Sequence, residues 1–152
     1  MNLQSYLDEN GVRYRASRHS TTFTAQELAA AEHVSGKRVI KPVVVQADGH
    51  FVMCALPACY RVDIAELKEQ LRVQDVHLID EDTLRQLFSD CAAGAEPPIG
   101  RLYGMTTLMD ESLSRGNQVM FQAGTHEDAV EMSLAEYRRI AQPEMAHFGR
   151  PL

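Results

Sequence analysis

Apolar residues recur along this chain with two periods, roughly 3.6 residues in some segments and two in others. Residues 3–7 have the helical period, and Asn10-Gly11 ends that segment. Between Val12 and Ala16 apolar residues alternate with polar ones, which predicts a half-buried strand with its arginines outward. The first part of the chain therefore predicts a helix followed by a strand.

Four later helices are predicted from the residues that begin them. A Ser, Thr or Asp stands before each helix, and in three cases a glutamate three residues on completes a capping box, which satisfies free amides of the first turn. These cap residues are Thr24, Asp63, Asp80 and Ser133. The four helices are predicted to run to about His33, Leu71, Phe88 and Ile140.

Strands fill most of the remaining chain. Residues 38–46 and 50–56 predict a hairpin, because Asp48-Gly49 between them tolerates positive φ at both turn positions. Further short strands are predicted at residues 76–79, 105–109, 118–122 and 129–132. This mixture predicts one α+β or mixed-sheet α/β domain over residues 1–152, and not a doubly wound Rossmann fold.

Composition narrows the class of protein. The 152 residues are 45% hydrophobic and 24% charged, which is typical of one globular domain. A net charge of −6 argues against broad nucleic-acid binding but allows a small local contact. Residues 1–5 lack a secretory signal, no apolar run could span a bilayer, and the three cysteines favour free thiols. We therefore expect a cytoplasmic protein with no membrane contact.

Lys41 lies inside the apolar segment 39–45 and is the first candidate for chemistry. Strand alternation puts it on one face with Val39, Val43 and Val45, although lysine is seldom buried without a partner. One interpretation is an edge-strand lysine that reaches water, which Pro42 favours because it cannot donate to a ladder. The other is a cation directed into a cleft at an ester carbonyl, a carboxylate or a phosphate. The pattern alone favours the first.

Two further segments are candidates. The loop Gly94-Ala95-Glu96-Pro97-Pro98-Ile99-Gly100 is either a rigid connector or a support for amides that stabilise developing negative charge. The segment Phe121-Gln122-Ala123-Gly124-Thr125-His126 predicts a strand that ends in a tight turn carrying a hydroxyl and an imidazole. His126 could exchange protons near neutral pH, or could simply cap local backbone.

Other constellations are weaker. His50, Cys54 and Cys59 do not have the spacing of a zinc site, so neither a metal nor a cofactor is predicted. Cys91 with His126 as its base would make a thiol hydrolase, but no residue near Cys91 in the sequence would lower its pKa.

The order of these features resembles the YbaK/ProX family of trans-editing aminoacyl-tRNA deacylases, which is related to the insertion domain of bacterial prolyl-tRNA synthetase. The features are the capped helix at Thr24-Ala25-Gln26-Glu27, then Lys41-Pro42, then the loop from Gly94 and the turn that ends at His126. The resemblance covers residues 15–140. It implies a curved mixed β-sheet, or a partial barrel, flanked by helices and holding one cleft.

The resemblance also implies roles for individual residues. Lys41 matches the essential lysine that holds the aminoacylated 3′ adenosine, and His126 lies on the turn that shapes the pocket. Gly94 and Pro98 match the ends of the G-x-x-x-P loop, so these four are the predicted catalytic set. The predicted substrate-binding residues are Gly124, Thr125, Pro97 and Arg38. Pro42 departs from the small polar residue common after the lysine.

The implied reaction is hydrolysis of the ester in a mischarged tRNA, with a substrate of the tRNA-Pro type that carries a small amino acid. Such an activated ester needs a placed water and a stabilised oxyanion, but no metal. The implied partners are the acceptor end of aminoacyl-tRNA, held by Arg13, Arg15, Arg18 and Arg38, and an aminoacyl-tRNA synthetase. A catalytically silent module that binds tRNA or a synthetase is the alternative.

Overall fold

The computed structural model describes residues 3–152. Its helices are α1 Leu3–Glu9, α2 Ala25–Ala31, α3 Ile64–Leu71, α4 Glu81–Leu87 and α5 Leu134–Ala141. Its strands are β1 Tyr14–Arg18, β2 Ile40–Ala47, β3 His50–Pro57, β4 Tyr60–Val62, β5 Val76–Leu78, β6 Thr106–Asp110, β7 Gln118–Gln122, β8 Asp128–Ser133, β9 Glu144–Ala146 and β10 Gly149–Pro151. Across these residues no helix has the length and apolar character that a membrane crossing requires.

The strands form three sheets. The largest has the order β5-β2-β3-β6-β9, with parallel pairing at β3–β6 and β6–β9 and antiparallel pairing elsewhere. The second is the antiparallel sheet β1-β8-β7, and β4 pairs with β10 in a separate ribbon. Helices and mixed sheets in one chain confirm the predicted α+β fold, and no barrel closes within the described residues.

One bridge joins the two larger sheets. Val39, just before β2, lies parallel to Met120 in β7, and the Met120 amide donates to the Arg38 carbonyl over 3.0 Å. Helix α2 covers this junction, because Leu28 and Ala29 pack against Val39 and Met120 in one buried cluster. The junction therefore fixes β2 beside β7 at one end of β2.

The local signals in the sequence are confirmed. Each of the four predicted cap side chains accepts a hydrogen bond from the backbone amide three residues later. Asp48 and Gly49 have φ of 46° and 84°, the left-handed values that a two-residue hairpin turn requires. Both features depend on residues only a few positions apart, so the sequence alone is sufficient to predict them.

The predicted first strand was wrong in its position. The amide of Val12 donates to the Leu7 carbonyl over 3.0 Å, so Val12 lies in the turn that follows α1, and β1 begins two residues later. Ala16, predicted to face the core, is exposed on β1. Helix α2 also ends at Ala31, before the predicted His33.

Three short strands, β4, β9 and β10, were not predicted. A buried carboxylate holds this region together: Asp110, at the end of β6, is 1% exposed. It accepts hydrogen bonds from the amides of Phe148 and Gly149 over 2.9 and 2.6 Å, and from the amide of Ser112 over 3.1 Å. Burial alone would raise the pKa of Asp110, but a hydrogen bond from the Ser112 hydroxyl, together with those from the three amides, outweighs it and lowers the pKa.

We expect Asp110→Asn to lower the free energy of unfolding by about 2 kcal/mol at pH 7, since hydrogen bonds to an ionised acceptor are lost. Because the folded-state pKa of Asp110 is lowered, its stabilising contribution is complete above the unfolded pKa of roughly 4 and is lost as pH falls through the folded value. The difference between variant and wild type should therefore shrink below about pH 4.

Urea unfolding at pH 7 and at decreasing pH measures both effects. Asp82→Asn, at an exposed carboxylate in α4, is the matched control and should change little. Equal stability of Asp110→Asn and wild type at pH 7 would contradict the assigned anchor role.

Candidate functional site

Strand β2 has an unpaired stretch on one side. The carbonyl of Arg38 accepts from β7, and the carbonyl of Val44 accepts from Ile79 just after β5. Because backbone groups alternate in direction along a strand, even-numbered residues here point toward this side. Between the Val39 bridge and the β5 pairing, which begins at Val45, no strand in the described structure completes the ladder.

Pro42 occupies this gap. It is even-numbered, so its nitrogen points toward the side where no partner strand lies, and the missing N–H leaves no ladder bond broken. On the other side, Lys41 and Val43 pair with Leu56 and Cys54 of β3. The sequence indicated an edge strand or bulge at Pro42; β2 is an inner strand of the sheet, and only this stretch of it is unpaired.

The ammonium of Lys41 is half-buried and lacks a partner. Because side chains alternate along a strand, Lys41 shares one face of β2 with Val39, Val43 and Val45. On this face Val39 packs against α2, and Val43 and Val45 pack near α3. Within residues 3–152 Lys41 forms neither a hydrogen bond nor an ion pair. Burial lowers the pKa of Lys41, against a smaller opposing effect of Cys59. A cation held without an acceptor in this way is suited to bind an anion or a polarised carbonyl.

The loop at residues 94–100 is a buried structure and not a surface connector. Every residue from Ala95 to Gly100 is buried. The hydroxyl of Tyr137 in α5 donates to the Pro98 carbonyl over 2.6 Å, and the Gly100 amide donates to the Thr107 hydroxyl over 2.8 Å. A rigid loop can hold groups in position without reorganisation during a reaction.

Most amides of this loop are already used internally, which limits the predicted oxyanion role. The amides of Gly94, Ala95 and Ile99 donate within the loop or to the turn before it. Gly100 donates to Thr107, and the two prolines have no N–H. Among the described residues, the loop amide left without an acceptor is that of Glu96.

The turn at residues 123–126 is fastened to this loop. The Gly124 amide donates to the Ala95 carbonyl over 2.9 Å, and the Ala92 amide donates to the Gly124 carbonyl over 2.8 Å. Gly124 has φ of 93°, which favours glycine. The Thr125 hydroxyl donates to Asp128 over 2.6 Å and accepts from amides of the turn, so it stabilises the turn itself.

His126 projects from this turn toward the start of α2. Its Nδ1 lies 2.9 Å from the Thr22 carbonyl, which accepts only if Nδ1 carries the proton, so Nε2 is left as an acceptor. A Cβ added to Gly94 would lie 3.5 Å from His126 Cε1, so the imidazole lies next to the space above Gly94 that a side chain would occupy. The ring of Phe23 lies 5.0 Å from the His126 ring.

Gly94, Gly124 and His126 are therefore brought together, whereas Lys41 forms no hydrogen bond with any of them, and its side chain lies on the face of β2 opposite to Pro42. Pro42 and Glu96 line the same hollow of about 230 Å³, and Glu96 Oε1 accepts from the Gly94 amide over 3.0 Å. Pro97 lines a second, larger hollow of about 480 Å³ with Thr125, while Pro98 faces Tyr137. That larger hollow carries Asp90 and Asp128, which disfavour a phosphate ligand.

Arg38 pairs with an acidic residue and lines a hollow separate from the two described above. Its guanidinium pairs with Glu131 over 2.7 Å, and Arg15 pairs with the same carboxylate over 3.2 Å. One acid thus neutralises part of the arginine cluster that the sequence suggested. Arg38 also lines a hollow of about 300 Å³, together with Lys37 and Arg115.

Cys91 is unsuited to act as a nucleophile. Its sulfur lies 3.2 Å from the Tyr103 hydroxyl and 3.4 Å from an Asp90 oxygen. Burial, assisted by Asp90, raises the pKa of Cys91 to about 11. The thiolate form required for attack is therefore disfavoured.

Sequence reasoning missed three residues of this site. Phe23 is a large apolar side chain that is 64% exposed, and Glu96 and Gln122 are polar residues that are each 6% exposed. The Gln122 amide nitrogen donates to the Thr24 carbonyl over 3.4 Å, while its oxygen is buried without a partner. The one signal in the sequence was the position of Glu96 inside a Gly/Pro loop. Its possible role becomes visible only when the structure shows that it is buried.

Comparison with known proteins gives one consistent result. A family model described as an aminoacyl-tRNA editing domain matches residues 19–140. The chain is 24% identical over 153 residues to the multifunctional Ser/Thr-tRNA deacylase ProXp-y of Escherichia coli (strain K12), across 97% of this chain and 91% of that protein.

Two further proteins are similar to this chain, one over a fifth of its own length and the other in structure at low sequence identity. The chain is 28% identical over 116 residues to a proline–tRNA ligase of Dehalococcoides mccartyi; the match takes in 76% of this chain and spans 20% of the ligase. A solved structure described as a trans-editing enzyme for prolyl tRNA synthetase has a TM-score of 0.84 at 18% identity, over 97% of this chain and 94% of that chain. At this identity the structural match shows the shared fold.

The state of Cys91 can be measured directly. We expect iodoacetamide to alkylate Cys91 slowly at pH 7, because a pKa of about 11 leaves on the order of one thiol in ten thousand ionised. The rate should rise about tenfold per pH unit up to about pH 10. Peptide mass spectrometry, with the partly exposed Cys59 as internal reference, gives both rates. Rapid modification of Cys91 at neutral pH would support a thiol hydrolase instead.

Proposed function

The chain belongs to the aminoacyl-tRNA editing domain family, and on that premise we propose how its cleft hydrolyses the ester of a mischarged tRNA. Membership makes it an aminoacyl-tRNA deacylase, a hydrolase that acts on an ester bond. The proposed substrate is a tRNA of the tRNA-Pro type that carries a small amino acid. Similarity to part of a proline–tRNA ligase supports that tRNA, and the small hollow beside Pro42 supports a small acyl group.

The observation that carries the proposal is the unpartnered ammonium of Lys41 beside the gap in β2. The aminoacylated 3′ adenosine lies at this gap, with the acyl group in the hollow beside Pro42 and the nucleoside on the Lys41 face. Phe23, exposed at the start of α2, provides an aromatic surface for the base. Lys41 then binds the ribose-phosphate or the ester oxygen, which supplies the negative charge that Lys41 does not receive from any residue in 3–152.

The chemistry needs little from the protein beyond placement. An aminoacyl ester is activated, so a positioned water and a stabilised oxyanion are sufficient. The acceptor nitrogen of His126, held toward the cleft by the Thr22 carbonyl, positions the water. The backbone amides of Glu96 and His126, which have no acceptor in the described structure, are the proposed oxyanion donors.

The tRNA approaches along a basic hollow next to Lys41. Lys37 and Arg115 line it and form no ion pair with any described residue, and Arg38 shares Glu131 with Arg15. The segment around Cys59 lies near both, because Cys59 affects the pKa of Lys41 and the neighbouring Ala58 amide donates to the Gly36 carbonyl over 3.1 Å. This local basic surface accounts for phosphate binding by a chain of net charge −6.

The proposal also includes a protein partner and a cellular location. An aminoacyl-tRNA synthetase is a proposed partner, supported by the similarity to a segment of a ligase. The cytoplasm is the proposed location, since charged tRNA is used there. The alternative from another class is a catalytically silent module that binds tRNA or a synthetase without hydrolysis.

One experiment separates these possibilities. Purified protein is incubated with Ala-, Cys-, Ser- and Thr-tRNA, and ester loss is followed for wild type, Lys41→Ala and Cys91→Ala. We expect Lys41→Ala to lower kcat/KM by roughly 100-fold or more, because an interaction strengthened in the transition state is lost. Cys91→Ala should stay within about twofold of wild type.

Other outcomes point elsewhere. Loss of activity in Cys91→Ala alone would favour the thiol enzyme. Binding of tRNA without ester loss by wild type would favour the silent module. Circular dichroism of each variant checks that the fold is kept.

Charge reversal in the basic hollow tests the tRNA path. We expect Lys37→Glu and Arg115→Glu each to lower kcat/KM for mischarged tRNA by roughly tenfold and to reduce the salt dependence by about one counterion. Hydrolysis of a minimal 3′-aminoacyl-adenosine should not change, since it lacks the other phosphates. Lys68→Glu, an equal charge change on the exposed side of α3, is the matched control. Equal effects at all three positions would exclude a specific path.

A further inference from the structure

We propose that Glu96 binds the α-ammonium group of the aminoacyl ester and so makes the enzyme specific for acyl groups that carry a free amine. The inference rests on the proposed deacylase function and adds one recognition element to it. It assigns a role to a side chain that lies outside the predicted catalytic set. The carboxylate lies in the hollow on the Pro42 side of the cleft.

The carboxylate of Glu96 is held rigidly. Glu96 is 6% exposed and lies in a loop whose residues from Ala95 to Gly100 are all buried. One oxygen, Oε1, accepts from the Gly94 amide over 3.0 Å. The second oxygen, Oε2, forms no hydrogen bond with any residue in the described range, so it remains available to a ligand.

No cation within residues 3–152 neutralises this carboxylate. Among residues 3–152 Glu96 forms no ion pair, and Lys41, the lysine next to Pro42, is itself unpaired. Burying a carboxylate without a cation is unfavourable, and a positively charged ligand would supply the counter-ion. The missing partner is therefore sought in the substrate.

The rest of the hollow defines what that ligand looks like. Glu96 is its one charged lining residue; the others are apolar, namely Pro42, Val43, Val44, Leu78, Ile79 and Leu84. Its volume is about 230 Å³. A ligand that fits carries a single positive charge on a small, otherwise uncharged group. The acyl end of an aminoacyl-tRNA meets this description, because its α-ammonium and side chain share one carbon.

The contact would also position the ester. The α-ammonium and the ester carbonyl are attached to neighbouring carbons, so a fixed ammonium restricts where the carbonyl can lie. Through Gly94, Glu96 is coupled to the imidazole of His126, which a Cβ on Gly94 would approach to 3.5 Å. Recognition of the amine and placement of the water therefore depend on the same rigid loop.

The opposing explanation is that Glu96 serves only to hold its own loop through the Gly94 amide. The two roles can be separated by Glu96→Gln. Glutamine keeps an oxygen that can accept from Gly94, and it has nearly the same shape, but it carries no charge. A loop-holding role would survive this change, whereas binding of an ammonium would not.

The experiment compares two substrates with two proteins. Each mischarged tRNA that wild type hydrolyses is paired with its α-hydroxy analogue, made by deamination of the aminoacyl group, and rates are divided by spontaneous hydrolysis. We expect wild type to prefer the aminoacyl form by roughly 10- to 100-fold in kcat/KM. Glu96→Gln should lose this preference by losing rate on the aminoacyl form only, as a thermodynamic cycle for a direct contact requires.

A binding measurement separates failure of this inference from failure of the proposed function. Calorimetry with the non-hydrolysable 3′-amide analogue of alanyl-adenosine, and with its α-hydroxy counterpart, tests the contact without catalysis. Tighter binding of the amine by wild type but not by Glu96→Gln supports the inference even if no ester is cleaved. Active wild type with an unchanged preference in Glu96→Gln overturns it. Thermal unfolding of the variant checks that the loop and fold are intact.

Discussion

The architecture depends on the point where β7 and β5 diverge along one side of β2. At one end of β2 the Val39 bridge joins the two larger sheets, and at the other end β5 completes the ladder. Between them, backbone that would normally carry hydrogen bonds lines a cleft. The buried loop from Ala95 to Gly100 lies beside this opening and is pinned from α5 and β6, so the cleft keeps its shape.

The charges follow from that geometry. Within the described part of the chain, Lys41 lies on one face of β2 without an acceptor, and Glu96 lines the hollow on the Pro42 side without a cation. Two unpaired opposite charges would be unfavourable in an ordinary core, where buried ions are matched to one another. Here they are separated and made available, which suits a substrate that carries a phosphate and an ammonium on opposite sides of one ribose.

Much of the fold could be predicted from residues that are close in the sequence. The parts that could not be predicted depend on contacts between residues far apart in the sequence. Capping boxes and the Asp48-Gly49 turn involve neighbours in the sequence, and the structure confirms them. Strands β9 and β10 depend on partners such as Asp110, which lies about forty residues away, so no local pattern shows them. For the site, the motifs indicated Gly94 and His126, which the structure places near each other. The importance of Glu96 and Phe23 follows only from their burial and exposure.

The missing N–H of Pro42 has an evolutionary consequence. Because no strand pairs with β2 at this residue, the sheet makes no demand on its backbone, and many side chains could replace proline there with little loss of stability. The same residue borders the hollow assigned to the acyl group. Substitutions at residue 42 can therefore change the amino-acid preference while the surrounding structure stays the same, so substrate preference can diversify with little loss of stability.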